Sequence, residues 1–230
     1  MEIKAVTFDL EGTLIDLEDI HLAGWEHAAR CAGLNITASE LASVPGALGG
    51  GALKVASIIH SLGGNSLTIE QIIALELSYY KRSLTRTEIA LRPGVVDLLS
   101  ALNENKISCA IGSLTAKEQA VHLIEQSGLL DFIPREHIVL KEDVHRLKPA
   151  PDVFLETARR LGVVAPQQLV FEDSATGIRA ACAAGSIAIA MPVINTKSNV
   201  SALRKAGAMS IYDCWTKVEL SHYLECSQAA

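Results

Sequence analysis

Short apolar runs, each followed at once by a polar turn, recur along this chain. The first, Ala5 to Phe8, is rich in strand-forming residues and runs straight into Asp9-Leu10-Glu11-Gly12-Thr13, a polar turn containing a glycine. Comparable runs return at Ile107–Ile111, Ile138–Leu140, Leu169–Phe171 and Ile187–Ala190. They are separated by helical patterns of roughly ten to fifteen residues, the spacing of βα units. The pattern predicts an α/β fold: a Rossmann-like parallel sheet with helices on both faces. From about Asp16 to Ala90 the alternation stops and only helical periodicity remains, clearest over Leu67–Leu84 with Thr68 placed to cap it. An all-helical insertion at residues 16–89 is therefore expected, within a core formed by residues 1–15 and 90–230. Arg92-Pro93-Gly94 marks the return to the core, because proline disfavours helix in the residue before it and suits a helix start. The next helix is placed at Val95–Asn105.

Composition narrows the function classes. With 230 residues, 49% of them apolar, the chain buries a full core without disulfide staples. No apolar run reaches the roughly eighteen residues of a membrane span. Twenty basic against twenty-six acidic residues give a net charge of −6, the wrong sign for tracking a nucleic-acid backbone. The five cysteines (Cys31, Cys109, Cys182, Cys214, Cys226) are odd in number and none forms a C-x-x-C pair, which reads as core thiols in a reducing compartment. The opening MEIKAVTF lacks the long apolar region of a secretory signal. A cytoplasmic protein, monomeric or homodimeric, without nucleic-acid or membrane partners is expected.

Open parallel sheets bind ligands at the carboxyl ends of their strands. The polar residues that follow the apolar runs are Asp9 and Glu11, then Gly112, Ser113 and Thr115, then Glu172, Asp173 and Ser174, with Lys148 in a loop before the Pro151 helix. Several carboxylates at one sheet edge repel unless a cation sits among them. Hard oxygen donors without paired His or Cys point to Mg²⁺, which keeps waters and accepts a phosphate oxygen. Lys148 and Ser113 are placed to bind that phosphate, and Asp9 to attack phosphorus and form an aspartyl-phosphate. Glu11 is then positioned to protonate the leaving oxygen and deprotonate water.

Asp9-Leu10-Glu11-Gly12-Thr13, Ser113, Lys148-Pro149 and Glu172-Asp173-Ser174 together resemble the four ordered motifs of the haloacid dehalogenase-like hydrolase superfamily. FEDSATGIRAACAAG is especially similar to the β-phosphoglucomutase and phosphosugar-phosphatase branch. The resemblance implies a helical cap at the insertion, Asp9 as nucleophile and metal ligand, and the Glu11 backbone carbonyl as a second ligand. It also implies Asp173, with Glu172 directly or through water, at the metal, and Ser113 and Lys148 at the phosphate. One position departs from the pattern: most of the family's phosphatases carry Asp where this chain has Glu11. The extra methylene moves the carboxylate by about 1 Å, a displacement that can cost on the order of a hundredfold in rate. The family's substrate-specificity loop falls near the glycine-rich stretch Pro45–Gly51, so Gly49 and Gly50 are the expected substrate contacts there. His21, His27 and Trp25 read as packing residues of the insertion. The expectation is a Mg²⁺-dependent phosphatase acting on a small phosphorylated metabolite, such as a sugar phosphate. The alternatives are a phosphomutase, a phosphonatase using Lys54, and a non-catalytic phospho-ligand-binding protein.

Overall fold

A computed structural model describes residues 2–44, 46–47, 51–63 and 66–224. The chain separates into two compact units, one of residues 1–16 and 89–230 and one of residues 17–88.

The larger unit is built on six strands: β1 (Ala5–Phe8), β2 (Ser108–Gly112), β3 (Ile138–Val139), β4 (Gln168–Glu172), β5 (Ile187–Ala190) and β6 (Ser210–Ile211). They pair in the order β3-β2-β1-β4-β5-β6, and every pairing is parallel. The fold is therefore α/β, as the apolar runs predict. β6 is the strand the sequence pattern misses: it is two half-buried residues long and leaves no apolar run to read. The central strands are apolar on both faces because both faces are covered. Phe8 and Phe171, register partners on β1 and β4, stack with ring centroids 5.4 Å apart. Trp215 tilts against both rings and its indole N–H donates to the Thr13 carbonyl at 3.3 Å.

Among the described residues, six helices flank these strands in the sequence. In the larger unit they are Val95–Glu104, Lys117–Gln126, Asp152–Arg160, Ala175–Ala184, Lys197–Ala206 and the short Ser221–Leu224. The smaller unit is entirely helical among its described residues, with Glu18–Cys31 (α1), Ala38–Ser43 (α2), Ala52–Ser61 (α3) and Ile69–Leu84 (α4). Numbering continues in chain order, so the larger unit's helices are α5 to α10. Thr68 caps α4 through a reciprocal pair with Gln71, and Thr37 caps α2 in the same way with Glu40, each cap supplying two otherwise unpaired backbone donors with partners. Trp25, Leu41, Val55, Ile59 and Ile72 form the helical unit's own core. His21 bonds Glu76 at 2.8 Å and stacks on Tyr80, while His27 lies against Tyr79. No described helix is long and apolar enough to cross a membrane. Of the described cysteines only Cys109 lies in the core as expected; Cys31 and Cys182 are exposed and Cys214 is half-buried.

Beneath the strand ends lies a closed polar network. Gln168, fully buried on β4, accepts from the Thr7 and Thr157 hydroxyls at 2.7 and 2.9 Å and donates to the Phe154 carbonyl and Ser186 hydroxyl, both at 3.0 Å. Replacing it by an apolar group of similar size strands those partners without water. Gln168→Leu is expected to lower unfolding stability by about 3 kcal/mol, read by urea titration; a loss below about 1 kcal/mol would contradict this account.

Candidate active site

Strand register assembles the site. Phe8 pairs with Ile111 on one side and Phe171 on the other, so the next residues, Asp9, Gly112 and Glu172, stand level. Residues level in parallel strands project to the same face, which brings the Asp9 and Glu172 side chains together. Gly112, level with them on β2, is the residue the space allows: a methyl group there would meet Thr157, Phe154 and Thr7 at 3.2–3.3 Å.

Lys148 enters this row from the loop before α7. The Asp152 carboxylate at the start of α7 accepts from the Arg146 backbone and side chain at 3.1 and 3.0 Å, fixing that loop. The Lys148 ammonium donates to Asp9 Oδ1 at 2.6 Å, Glu172 Oε1 at 2.7 Å and the Gly112 carbonyl at 3.1 Å. Three acceptors thus take its three hydrogens. It also lies 4.9 Å from the centre of the Phe154 ring. Glu172 in turn accepts from the backbone and hydroxyl of Ser174 at 2.9 and 3.0 Å, and the Ser174 hydroxyl caps α8 by accepting from Gly177 N–H at 3.0 Å.

Asp9, Glu172 and Asp173 each offer a carboxylate oxygen within 4.8 Å of the others. At that separation like charges repel by about 3 kcal/mol per pair for an effective dielectric of about 20. Burial, opposed by Lys148 and reinforced by Glu172 and Glu11, pushes Asp9 up to about 7. Burial, with Glu172 and Asp9, holds Asp173 well above the ordinary carboxylate range. For Lys148 burial alone would lower the pKa, but Asp9 and Glu172 reverse this and keep it protonated above its usual value. One ammonium among three carboxylates leaves a formal charge of −2, in a set of hard oxygens. A divalent cation of the magnesium type fits that charge and donor set.

The Glu11 side chain is directed elsewhere. Its Oε1 accepts a short hydrogen bond from the Thr115 hydroxyl, and Thr115 is bonded to Ser113 both hydroxyl to hydroxyl at 3.0 Å and through its N–H at 3.2 Å. The Glu11 carboxylate accordingly does not belong to the three-carboxylate cluster found among the described residues. Ser113 does not cap the next helix: α6 begins at Lys117, whose N–H donates to the Glu142 carboxylate. Asp9, Glu11, Ser113, Thr115, Lys148, Glu172 and Asp173 all line one cleft of about 370 Å³ in the larger unit. Gly49 and Gly50 lie outside the described residues.

Sequence reasoning missed several supports. Arg92, read there only as a boundary, donates to the carbonyls of Gly12 and Met191 at 2.6 and 2.7 Å and to those of Thr13 and Pro192 at 3.4 Å. It ties the loop after β1 to the end of β5. Gly12 has a left-handed backbone (φ +82°), and a methyl group on it would lie 2.5 Å from Asp173 Oδ2. Gly177 approaches Glu172 so closely that a methyl group would overlap the carboxylate. An arginine directly before Pro-Gly and a glycine three residues into a capped helix are the signals that could have marked these positions.

The family model described as haloacid dehalogenase-like hydrolase matches residues 6–191. The chain is 35% identical over 196 residues to hexitol phosphatase A of Escherichia coli, covering 83% of this chain and 84% of that protein. It is 30% identical over 182 residues to fructose-1-phosphate phosphatase YqaB of the same organism, covering 79% and 93%. Its fold is similar to a crystal structure from Entamoeba histolytica titled HAD hydrolase, family IA, variant 3, with a TM-score of 0.78, 23% identity and 98% of both chains covered.

Proposed function

Because this chain belongs to the haloacid dehalogenase-like hydrolase family and is a phosphohydrolase, we propose that it hydrolyses the phosphate monoester of a small sugar or polyol through an aspartyl-phosphate on Asp9. The observation that carries the reading is the meeting of Asp9, Glu172, Asp173 and Lys148 at one row of strand ends. The names of the two relatives from Escherichia coli, a hexitol phosphatase and a fructose-1-phosphate phosphatase, support the substrate class.

In this reading Lys148 holds Asp9 by Oδ1, and Oδ2 attacks phosphorus in line. The ester P–O bond breaks as the new O–P bond forms, and Glu11 supplies the proton to the departing alkoxide. Glu11 then takes a proton from water, which attacks the phosphorus and restores the Asp9 carboxylate. Ser113 and the backbone N–H groups after β2 bind the phosphoryl oxygens. Asp9, Asp173, the Glu11 carbonyl and, through water, Glu172 would hold Mg²⁺, which when bound offsets phosphate and carboxylate charge. The helical unit of residues 17–88 acts as the substrate-selecting cap, and the setting is cytoplasmic.

The test is a panel of hexose and hexitol phosphates assayed for inorganic phosphate with Mg²⁺ and again with excess chelator. Metal-dependent release from at least one member, lost on chelation by about 100-fold or more, is expected. No release from any member would leave a binding protein. Primer-dependent interconversion of sugar phosphates without net release would make it a mutase.

A further inference from the structure

We infer that Thr115 is a positioning residue that aims the unusually long acid at residue 11. The inference rests on the reading of Glu11 as the group that protonates the leaving oxygen. A glutamate has one more rotatable bond than the aspartate its position resembles, so its carboxyl sweeps a larger volume unless something fixes it. The structure supplies that fixing point: Thr115, 104 residues along the chain, donates its hydroxyl hydrogen to Glu11 Oε1. Because that hydrogen is engaged, Ser113 is the donor in the Ser113–Thr115 hydroxyl pair, and the Thr115 N–H returns a bond to the Ser113 oxygen. Glu11 is thereby tied, through one side chain, to the residue proposed to bind the phosphate. Thr115 holds one carboxyl oxygen, Oε1, and the proposed proton transfer runs through the other, Oε2. In the first half-reaction that proton passes from Oε2 to the ester oxygen as the P–O bond breaks and the Asp9 oxygen–phosphorus bond forms. Charge on the site is conserved, since the acid becomes a carboxylate as the leaving alkoxide becomes an alcohol.

Leaving-group acidity separates this role from a structural one. A 4-nitrophenolate departs with little help, phenolate needs more, and a benzyl alkoxide depends on protonation. Values of kcat/KM report the step up to phosphoryl transfer, so they register that help even when the second half-reaction limits kcat. For Thr115→Val, which keeps shape and removes the hydroxyl, kcat/KM on benzyl phosphate is expected to fall about 30-fold while that on 4-nitrophenyl phosphate falls less than about 3-fold. Thr115→Ser is expected to restore both to within about 3-fold. Equal losses on 4-nitrophenyl, phenyl and benzyl phosphate in Thr115→Val, with Glu11→Gln losing far more on benzyl than on 4-nitrophenyl phosphate, would overturn the positioning role alone. Equal losses in Glu11→Gln as well would overturn the assignment of Glu11 on which it rests. A Thr115→Val protein with an altered circular dichroism spectrum is answered by Thr115→Ser: failure of that variant to recover benzyl phosphate turnover counts against the inference.

Discussion

Asp9→Asn is expected to lower metal-dependent phosphate release by on the order of 10⁴-fold or more, because the amide cannot attack phosphorus. The loss will fall on every ester alike, whatever its leaving group. The same change removes one charge from a buried cluster in which ionised Asp9 is disfavoured by burial and by Glu172. In metal-free buffer the variant should therefore melt no lower than the parent protein, even though Lys148 gives up one ion pair and keeps that with Glu172. Phosphate release together with a thermal melt decides the matter. Residual turnover above about 1% would place the nucleophile elsewhere, and a much lower melting temperature would trace the loss to misfolding.

Gly177→Ala sets two effects of opposite sign against each other. Alanine is the better helix former by about 1 kcal/mol, and Gly177 lies within the first turn of α8. Against this, the new methyl group would occupy the space of the Glu172 carboxylate. That carboxylate must then move, loosening both the Lys148 ion pair and the Ser174 contacts that cap the helix. Disturbing a partner of a buried ion pair typically costs about 3–5 kcal/mol, so the steric term wins. A net loss of about 2–4 kcal/mol in urea unfolding and about 100-fold in kcat/KM is expected. Combined with Glu172→Gln, the activity losses should not add, because both act on one carboxylate. A variant as stable and active as the parent would show that Glu172 has room the structure denies it.

Much of the sheet is written in the sequence, because a strand buried on both faces is largely apolar. The runs around Val6, Ala110, Val170 and Ala188 say so directly. The acidic groups of the cleft were legible because they directly follow such runs, where an open parallel sheet gathers its ligand-binding loops, and Lys148 was read from the loop before Pro151. What stayed hidden depends on long-range packing. Arg92 stands visibly before Pro-Gly, but that its guanidinium meets the carbonyls of residues 12 and 191 depends on the fold, and Thr115 is only one of several polar residues at the strand ends until the fold carries Glu11 to it. Trp215 lies among polar neighbours, Asp213, Thr216 and Lys217, yet it is almost wholly buried against Phe8 and Phe171. β6 escaped for the opposite reason, being too short and too exposed to leave a pattern.

The position of β1 in the sheet governs the order in which this polypeptide matures. It is synthesised before both of its neighbours, residues 108–111 and 168–171. The helical unit, whose contacts are drawn from residues 17–88, is synthesised in full before either neighbour exists. Sequence-distant pairing closes large loops and is intrinsically slow. The strand that leads into Asp9 thus waits, with the backbone N–H and C=O groups of one edge unpaired, until residues 168–171 have been translated.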